Sequence, residues 1–399
     1  MSLAFNSLEW GFENFVIWLP LFFCLISVVY YCLAIYSAID FLSQKIPAAP
    51  NFYPPISLLK PLCGLDPNTY GNLASFCYQD YPNYQIVFGV QDPTDPAIAV
   101  VRQLIHDFPT LDIQLVVSDR AIGTNLKISN LANALTAAKH ELLLISDSDI
   151  YVGTDYLKTV VQPLQDPTVG VVTCTYRSKA EGWIATLEAL GISTELVPTV
   201  LVSRKLEGMT FGIGATVVLR RSVLESFGGF AAIANYLHDD FHLGRLPASA
   251  GYRVVLSNYM VTHVLGRESF STFFQHQTRW NRGIRLSQPA GYAGQIFTFG
   301  TVASLLFLLT SHGSSLSWSI LGITWLFRFA MAWTVGVKTL NDPIVKKWLW
   351  LVPLSDLIRF AMWCAGFVGN TIEWRGRQFK LTSQGELIEI EAIRLEARI

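Results

Sequence analysis

The stretch "LLLISDSDIYVG", residues 142–153, joins an apolar run to two acidic residues one position apart, Asp147 and Asp149. Consecutive large apolar residues of this kind are typical of a strand that is buried on both faces of a parallel sheet. Two carboxylates at the end of such a strand repel each other unless a cation neutralises them. The stretch therefore predicts a buried strand that delivers paired acids to a cation at the sheet edge.

Similar runs recur between residues 56 and 257, and they alternate with helical patterns such as 94–108 and 126–139. The runs are "ISLLKP", "YQIVFGVQD", "DIQLVV", "ELLLISDSD", "VGVVTCT" and "ATVVLRR". This alternation predicts an α/β fold with a Rossmann-like, mostly parallel sheet covered by helices on both faces. Ligands of such sheets bind beyond the carboxyl ends of the strands, where Asp92 and the Asp147/Asp149 pair fall.

The composition indicates that part of the chain lies in lipid. Of its 399 residues, 51% are hydrophobic and only 15% are charged, whereas a soluble domain carries roughly 25% charged residues. The net charge of −1 gives no support to a nucleic-acid partner. The six cysteines contain no CxxC pair, so they predict neither a zinc site nor a disulfide framework.

The long apolar stretch at residues 12–41 exceeds the roughly 20 residues that cross a bilayer. Glu9 and Glu13 precede its apolar part, Phe15–Phe41, unlike the basic start of a signal peptide, so we interpret it as a retained transmembrane anchor. A proline-rich linker, "PAAPNFYPP", follows at residues 47–55. Because the nearest basic residues, Lys45 and Lys60, follow the anchor, the positive-inside rule predicts a cytoplasmic catalytic domain at residues 50–268.

The last third of the chain divides into an amphipathic interface segment (269–291), a transmembrane or re-entrant region (292–370) and a polar tail (371–399). The middle region contains three apolar stretches, Ile296–Thr310, Leu316–Val337 and Trp348–Val368, of which the first is short enough to be re-entrant. The basic start of the tail, "EWRGRQFK", indicates a cytoplasmic side, yet three full crossings would put it outside. Either one stretch does not cross or the charge rule fails locally.

The acidic residues at the sheet edge suit a hard divalent cation. Mg²⁺ or Mn²⁺ takes oxygen ligands, keeps one or two protein carboxylates and completes its shell with substrate phosphates and water. Asp147 and Asp149 fit that description, although surface turns also produce D-x-D patterns. Asp92 ends the preceding apolar run, and its alternative role is a helix cap, for which Asp95 is the better candidate. Lys127 is either a phosphate contact or an ordinary solvated lysine.

Two later segments carry further candidate groups. In "NYLHDDFHLG", residues 235–244, Asp239 and Asp240 are either partners of a helix N-terminus or include a general base. In "FFQHQTRWNRGIRLSQP", residues 273–289, Arg279 could clamp a diphosphate, with Trp280 as an aromatic wall. The same segment also has the character of a basic helix resting on anionic headgroups, and the two roles are compatible.

Taken in order, these elements resemble membrane-bound, family 2-like glycosyltransferases with a GT-A fold. The segments "SLLKPLCGLDPN", "VQDPTDPA", "LKISNLANA", "GMTFGIGATVVLRRSVLESFGGF" and "EWRGRQFKL" are similar to the ceramide glucosyltransferases of family 21. The bacterial hopanoid-modifying N-acetylglucosaminyltransferases are similar too, across "DDFHLG", "VVLS" and "TRWNRGIR". The resemblance extends from the anchor to about Leu381.

The resemblance implies a role for each matching position. Asp92, Lys127 and Asp239 would bind the nucleotide sugar, and Asp147 with Asp149 would hold the Mg²⁺ or Mn²⁺ ion on the UDP diphosphate. Asp240 would be the catalytic base. Gln275, Arg279 and Trp280, in a QxxRW-like element, would contact the diphosphate and the acceptor.

Two departures bear on the acceptor. His276 stands where the family usually has Gln or Arg, and "STELVP", residues 193–198, lacks the histidine of the animal ceramide enzymes.

The resulting expectation is an inverting membrane glycosyltransferase that moves a sugar, most readily glucose, from a UDP-sugar to a lipid hydroxyl. The lipid would be ceramide or a hopanoid-like acceptor, and the alternative activity is transfer of N-acetylglucosamine to a hopanoid. Two rival interpretations are a processive polysaccharide synthase, for which the apolar stretches are few, and a non-catalytic membrane scaffold, for which the retained acids are unexpected.

Overall fold

The structure is a computed structural model that describes residues 2–44 and 51–390, with side chains from residue 16 onward. Lys45, residues 47–50 of the proline-rich linker, the side chains of Glu9 and Glu13, and the tail beyond residue 390 lie outside the described part. The helices are α1 Ser2–Ser43, α2 Thr69–Ser75, α3 Ala97–Asp107, α4 Leu126–Leu135, α5 Tyr156–Val160, α6 Trp183–Gly191, α7 Val197–Glu207, α8 Arg221–Ser226, α9 Asp239–Ser249, α10 Phe270–Ser287, α11 Pro289–Gly294, α12 Gly300–Thr310, α13 Ser315–Ala332, α14 Pro343–Trp348 and α15 Val352–Gly366.

Eight strands form one sheet in the order β3-β2-β1-β4-β7-β6-β8-β5. They are β1 Ile56–Leu62, β2 Tyr84–Val90, β3 Asp112–Val117, β4 Leu142–Ile145, β5 Ile150–Tyr151, β6 Val169–Ala180, β7 Val217–Arg220 and β8 Arg253–Leu265. Strands β1 to β4 are parallel, β7 runs antiparallel to both of its neighbours, and β6 and β8 are parallel to each other. The sheet is therefore mostly parallel: β7 is a reversed strand between β4 and β6, and the short edge strand β5 runs antiparallel to β8.

The apolar run of β4 is buried on both faces of the sheet, as its sequence predicts. Leu142 and Leu144 belong to one core, while Leu143 and Ile145 belong to the other. Because side chains alternate along a strand, an uninterrupted apolar run can supply both cores at once. The strand ends at Ile145, so Asp147 and Asp149 follow it at the carboxyl edge of the sheet.

Helix α1 packs beside α12 and α13 to form a three-helix bundle. Cys24 of α1 clusters with Ala303 and Phe307 of α12, and the Tyr31 hydroxyl donates to the Thr298 carbonyl at 2.9 Å. Near the end of α1, the Asp40 carboxylate pairs with Arg204 and Lys205 of α7 at 3.1 and 2.7 Å. The bundle therefore joins the sheet domain at the C-terminal end of α1.

Four helical segments in the described residues are long and apolar enough to span a membrane, and a bent pair adds a fifth candidate. The four are Val16–Ser43, Trp183–Glu207, Ser315–Thr339 and Pro343–Gly366, and the pair is Pro289–Thr298 with Gly300–Thr310, bent by 54°. Trp183–Glu207, which the sequence analysis did not single out, is largely buried inside the protein. The bend falls in the stretch that the sequence marks as re-entrant.

The segment formed by α14 and α15 begins against the sheet domain and ends against α10. At its start, Arg177 of β6 donates to the Asn341 carbonyl at 3.2 Å, and Ser193 Oγ donates to Asp342 Oδ2 at 2.5 Å. At its end, Arg285 of α10 donates to the Phe367 carbonyl at 2.7 Å. Both ends of the α14–α15 segment are thus on the same side of the bundle.

Residues from the polar tail form a second sheet of three antiparallel strands, β9 Thr371–Trp374, β10 Arg377–Leu381 and β11 Leu387–Glu389. This sheet docks onto the large domain: Leu387 N–H donates to the Asn235 carbonyl at 2.7 Å, and Thr124 Oγ1 donates to the Leu387 carbonyl at 2.9 Å. The docking position lies between the start of α4 and the start of α9. The tail therefore forms part of the surroundings of Lys127 and Asp239.

Candidate active site

Lys127 connects the D-x-D element to the later acid pair. Its Nζ lies 2.7 Å from Asp147 Oδ1 and 3.1 Å from Asp239 Oδ2. Asn125 caps α4 through its side chain, which accepts from Ile128 N–H at 3.2 Å and fixes the first turn from which Lys127 projects. Three residues that are far apart in the sequence are thereby brought together at one edge of the sheet.

Asp240 lies beside the same group and is held by backbone amides. Its Oδ2 accepts from Gly214 N–H at 2.7 Å, and its Oδ1 accepts from Phe241 N–H at 2.8 Å. A Cβ atom at Gly214 would come within 3.0 Å of Asp147 Oδ2 and 3.2 Å of Asp240 Oδ2, so glycine leaves the room that both carboxylates occupy. Burial raises the pKa of Asp240, while Lys127 and the two amides oppose that rise.

The two acids of the D-x-D element have different partners. Asp149 Oδ2 lies 3.2 Å from Nε2 of His263 on β8. Burial would raise the pKa of Asp149, but the interaction with His263 outweighs it and lowers the pKa overall. Burial raises the pKa of Asp147, against the opposing effect of Lys127. The element therefore combines one carboxylate bound to a lysine with one bound to a histidine.

Lys60 is a site residue that the sequence analysis used only for topology. It is fully buried in β1, and its Nζ donates to the Asp147 carbonyl at 2.6 Å and to Ser146 Oγ at 3.3 Å. The ammonium lies 3.7 Å from the centre of the Phe76 ring, and burial lowers its pKa to about 7. A lysine inside an otherwise apolar strand was the available signal, because such a residue needs a buried partner.

Asp92 follows β2 but contacts its own turn. Its Oδ1 accepts from Thr94 N–H at 2.8 Å and from Thr94 Oγ1 at 2.6 Å, and these bonds lower its pKa. Asp95 has a capping role at α3, because its Oδ1 accepts from Ala97 N–H at 2.8 Å. Asp92 thus stands at the carboxyl edge of the sheet, and its side-chain hydrogen bonds within the described residues go to Thr94 and not to Asp147 or Asp240.

The QxxRW-like element occupies the middle of α10. Gln275 is exposed and Trp280 is half-buried. The Arg279 guanidinium lies 5.5 Å from the centre of the Trp374 ring on β9, and burial lowers its pKa to about 10. Its Nε has no hydrogen-bond partner among the described residues. Arg279 therefore reaches the site with donor capacity to spare and is supported by a strand of the tail.

The donor set fits a Mg²⁺ or Mn²⁺ ion held jointly with a substrate. All candidate ligands are carboxylate oxygens, which these hard cations prefer. In the described part of the chain, no group of three or more His, Cys, Asp or Glu side chains is arranged to hold a metal. An ion at this edge would consequently take one or two carboxylates from the protein and the remaining ligands from phosphate and water.

The sequence is similar to those of ceramide glucosyltransferases from other organisms. The chain is 25% identical to Ceramide glucosyltransferase 1 of Caenorhabditis elegans over 382 residues, which cover 91% of this chain and 79% of the relative. It is 34% identical to the Ceramide glucosyltransferase of Candida albicans over 123 residues, 28% of this chain and 23% of the relative.

The fold is similar to that of the mannosyltransferase PcManGT from Pyrobaculum calidifontis, solved in complex with GDP-Man and Mn²⁺. The TM-score is 0.57 and the identity is 21%, with 89% of this chain and 97% of the other covered. This likeness confirms the GT-A fold predicted from the sequence. The family model described as glycosyl transferase family 21 matches residues 19–387. This chain therefore belongs to glycosyl transferase family 21 and is a glycosyltransferase.

Proposed function

We propose that this protein transfers a sugar, most readily glucose, from a UDP-sugar to the hydroxyl group of a lipid with inversion at the anomeric carbon. The observation that carries the proposal is the position of Asp240, whose carboxylate shares the space beside Gly214 with the carboxylate of Asp147. A base next to a nucleotide-binding group is the minimum that single displacement requires. The names of the nematode and yeast relatives support ceramide as the acceptor.

On the donor side, Asp147 and Asp149 would hold a Mg²⁺ or Mn²⁺ ion against the diphosphate. When bound, the ion would neutralise charge on the diphosphate as the nucleotide departs. Lys127 and Arg279 provide two further positive charges toward the same group, Lys127 at 2.7 Å from Asp147 and Arg279 with an unpaired Nε. Asp239 orients Lys127, and Asp92 would contact the nucleotide farther along the sheet edge.

On the acceptor side, Asp240 would remove the proton from the attacking hydroxyl. Its two N–H donors fix the orientation of the carboxylate and leave lone pairs for the acceptor proton. Because the nucleophile attacks opposite the leaving diphosphate, one base is sufficient and no covalent sugar–enzyme intermediate forms. Gln275, Arg279 and Trp280 would contact both the diphosphate of the donor and the acceptor lipid.

The surroundings of α10 support an acceptor that reaches the site from a bilayer. Phe270 and Phe274 are exposed on one face of this helix, while Phe273 and Gln277 on the other face are buried. A helix with this distribution lies in the membrane interface with its apolar side chains in lipid. A lipid hydroxyl could then enter the site without leaving the membrane.

We infer a topology with three crossings, α1, the bent pair ending in α12, and α13. The α14–α15 segment would lie along the interface, since both of its ends contact the sheet domain or α10. This arrangement puts the tail on the catalytic side and removes the conflict between the basic tail and three C-terminal crossings. Arg204, Lys205, Lys346 and Lys347 flank the spans on that side, whereas the connection 311–314 has no lysine or arginine. The positive-inside rule then makes the catalytic side cytoplasmic.

Three other activities are less well supported. Transfer of N-acetylglucosamine to a hopanoid uses the same chemistry and differs at one substituent of the sugar. A processive polysaccharide synthase needs a polymer channel, and the three-helix bundle has few helices with which to enclose one. A non-catalytic scaffold would have no use for an oriented carboxylate at position 240.

The direct test is transfer by the purified protein in lipid bilayers. Labelled UDP-glucose and UDP-N-acetylglucosamine would each be supplied with ceramide and a hopanoid together, and the labelled lipid would be identified by mass spectrometry. We expect glucosylceramide, and we expect Asp240→Asn to lower kcat by a factor of about 10²–10⁴, the usual contribution of a general base. UDP binding, measured by calorimetry with Mn²⁺, should be retained in this variant.

Substantial turnover by Asp240→Asn would remove Asp240 from the role of base. A polymer on a sizing gel would favour the polysaccharide synthase, and labelled hopanoid in preference to ceramide would favour the alternative acceptor.

A further inference from the structure

The hairpin that joins β9 to β10 brings an arginine to the candidate active site that the proposed mechanism does not use. Its loop consists of two residues, Arg375 and Gly376, between the paired residues Trp374 and Arg377. The Trp374 ring lies 5.5 Å from the Arg279 guanidinium. Arg375 therefore directly follows the residue that contacts Arg279, and it occupies the tip of the hairpin.

The tail sheet is fixed on the large domain, so this tip has a defined position. Leu237, two residues before Asp239, belongs to the apolar core of the tail sheet, and its N–H donates to the Gly385 carbonyl at 3.2 Å. On the side of α10, Arg282 donates to the Thr371 carbonyl at the start of β9. The hairpin is thus held both by the segment that precedes Asp239 and by the helix that carries Arg279.

Arg375 has no partner in the described part of the chain, in contrast to the neighbouring arginines. Arg282 and Arg285 donate to carbonyls at the start of the tail, and Arg377 pairs with Glu389 at 3.3 Å. The side chain of Arg375 is exposed, and it forms neither an ion pair nor a hydrogen bond with any described residue. Its guanidinium is therefore available to a ligand.

Arg375 is placed close to a second arginine of the site. It interacts electrostatically with Arg279, whose pKa is lowered by burial and further by Arg375. Arg279 has no ion pair among the described residues, and its Nε is buried without a hydrogen-bond partner there. Two neighbouring guanidinium groups repel each other unless an anion neutralises them. As the paired acids of the D-x-D element predict a cation, so this arginine pair indicates an anion.

The nearby acid of the loop after β1 does not supply that anion. Asp66 interacts electrostatically with Arg375, but it forms no ion pair with it among the described contacts. Its carboxylate instead accepts from the hydroxyl of Ser148, the middle residue of the D-x-D element. Asp66 therefore places Arg375 near the D-x-D element and leaves the guanidinium unneutralised.

The arginine pair is also close to the acids that would hold the metal ion. Arg279 interacts electrostatically with Asp147 and Asp239, and both of these carboxylates pair with Lys127. An anion at the arginine pair would consequently lie beside the proposed Mg²⁺ or Mn²⁺ site. A nucleoside diphosphate meets both requirements, because its phosphate oxygens accept from guanidinium groups and also complete the shell of a hard cation.

The conformation of the hairpin loop supports a functional role for the Arg375 side chain. Arg375 and Gly376 have φ angles of 50° and 75°. A two-residue loop with both φ angles positive favours Asn-Gly, Asp-Gly or Gly-Gly, and a residue as bulky as arginine is uncommon there. Arg375 is exposed, so packing does not explain its presence. A residue that departs from the local preference without a packing reason is typical of a functional position.

We propose that Arg375 binds the diphosphate of the nucleotide-sugar donor together with Arg279. The proposal rests on the proposed function, because it assigns Arg375 to the donor of that reaction. The guanidinium would donate to phosphate oxygens and stabilise the negative charge on the nucleotide as it departs. The tail would then complete the donor site in addition to supporting α10.

The test measures UDP binding to the full chain in lipid nanodiscs by calorimetry with Mn²⁺. Arg375→Asn removes the guanidinium and introduces a residue that the turn prefers, so the melting temperature should be equal or higher. We expect Kd for UDP to rise about 10-fold, the low end of the range for a hydrogen bond to a charged group, because Arg375 is exposed. Kd for uridine, which has no phosphate, should be unchanged. Arg375→Lys keeps the charge without the planar fork and should give an intermediate Kd.

The matched control is Arg377→Gln. It removes another exposed guanidinium of the same hairpin, one that already pairs with Glu389, and Kd for UDP should stay at the wild-type value. An equal loss of UDP affinity in Arg377→Gln and Arg375→Asn would show an effect of overall charge and would overturn the proposal. Equal losses for UDP and uridine in Arg375→Asn would assign Arg375 a structural role and would overturn it as well.

The remaining outcomes separate this proposal from the one on which it rests. If Arg375→Asn binds UDP as tightly as the wild-type protein, only the role of Arg375 is overturned. If the wild-type protein binds GDP and not UDP, the UDP-sugar donor is wrong, and a 10-fold loss of GDP affinity in Arg375→Asn would still support the role of Arg375. Wild-type protein that binds neither nucleotide would overturn both proposals.

Discussion

At the scale of single residues, the acidic side chains of the site outnumber the cationic side chains that neutralise them. Lys127 interacts with both Asp147 and Asp239, while Lys60 is held by a backbone carbonyl and has a pKa near 7. Removing one partner from a buried ion pair is costly because the remaining charge is left without compensation. The stability of the site therefore depends strongly on Lys127.

We expect Lys127→Met to destabilise the protein by about 2 kcal/mol. This is less than the roughly 3–5 kcal/mol seen when a fully buried pair is broken, since the Asp147 side chain is 35% exposed. Thermal unfolding in detergent measures the effect. The control is Lys158→Met, which removes an exposed ion pair with Asp80 and should shift the melting temperature little. Equal shifts in the two variants would contradict the central position of Lys127.

The dependence of the transfer rate on pH should report the ionisation of Asp240. Burial raises the pKa of this carboxyl above the ordinary value for aspartate, and a base acts only when ionised. Activity should therefore fall as the pH drops through that raised value. Initial rates at saturating UDP-sugar and lipid, measured from pH 7 downward, give the midpoint. In Asp240→Asn, the residual rate should lose this acid limb, and an unchanged limb would assign it to another group.

At the scale of elements, the sequence predicted those whose patterns are local. The apolar runs before Asp92 and Asp147 became β2 and β4, because a strand buried on both faces is recognisable from its own residues. The contact of Lys127 with Asp239 was not predictable, since it depends on how α4 and α9 are brought together by the fold. The role of Lys60 was missed for the same reason: its partner is a backbone carbonyl 87 residues away.

The tail shows most clearly which structural features could not be predicted from the sequence. "EWRGRQFK" was interpreted as a basic flank, but Arg375 and Gly376 have φ angles of 50° and 75° and form the turn between β9 and β10. Positive φ at two successive turn residues is typical of a tight hairpin. The hairpin places the Trp374 ring against the Arg279 guanidinium. The two residues are 95 positions apart in the sequence, so no local pattern predicts this contact.

We expect Trp374→Ala to weaken donor binding through Arg279. The cation–π contact at 5.5 Å is worth about 0.5–2 kcal/mol, so KM for the UDP-sugar should rise by about 2- to 30-fold. KM for the lipid should stay within about twofold, because α10 itself is unchanged. Trp374→Phe keeps an aromatic face and should recover most of the loss. A variant that changes only the lipid KM would place the tail on the acceptor side of the site.

At the scale of the whole molecule, the alternation of apolar runs predicted the mostly parallel sheet and the α/β fold class. It did not predict the membrane topology. Hydropathy identified apolar stretches but could not tell a span from a helix that lies against protein. Trp183–Glu207 and the α14–α15 segment both pass the test of length and composition. Their tertiary contacts differ from those of α1 and α13, since α6 and α7 are largely buried and α14–α15 contacts the sheet at its start and α10 at its end.

We expect the tail and the catalytic domain to react from the same side of a sealed vesicle, and the connection 311–314 from the other. Cys63 is exposed after β1 and serves as the native reporter of the catalytic domain. Gln384→Cys and His312→Cys, each in a chain whose other exposed cysteines, Cys32 and Cys364, are replaced by serine, report the tail and the connection. A membrane-impermeant maleimide should label Cys63 and position 384 together in vesicles of one orientation, and position 312 only in those of the opposite orientation or after permeabilisation. Labelling of positions 384 and 312 from one side, with Cys63 protected, would mean that α14–α15 crosses the membrane and that the tail sheet is not docked beside Lys127.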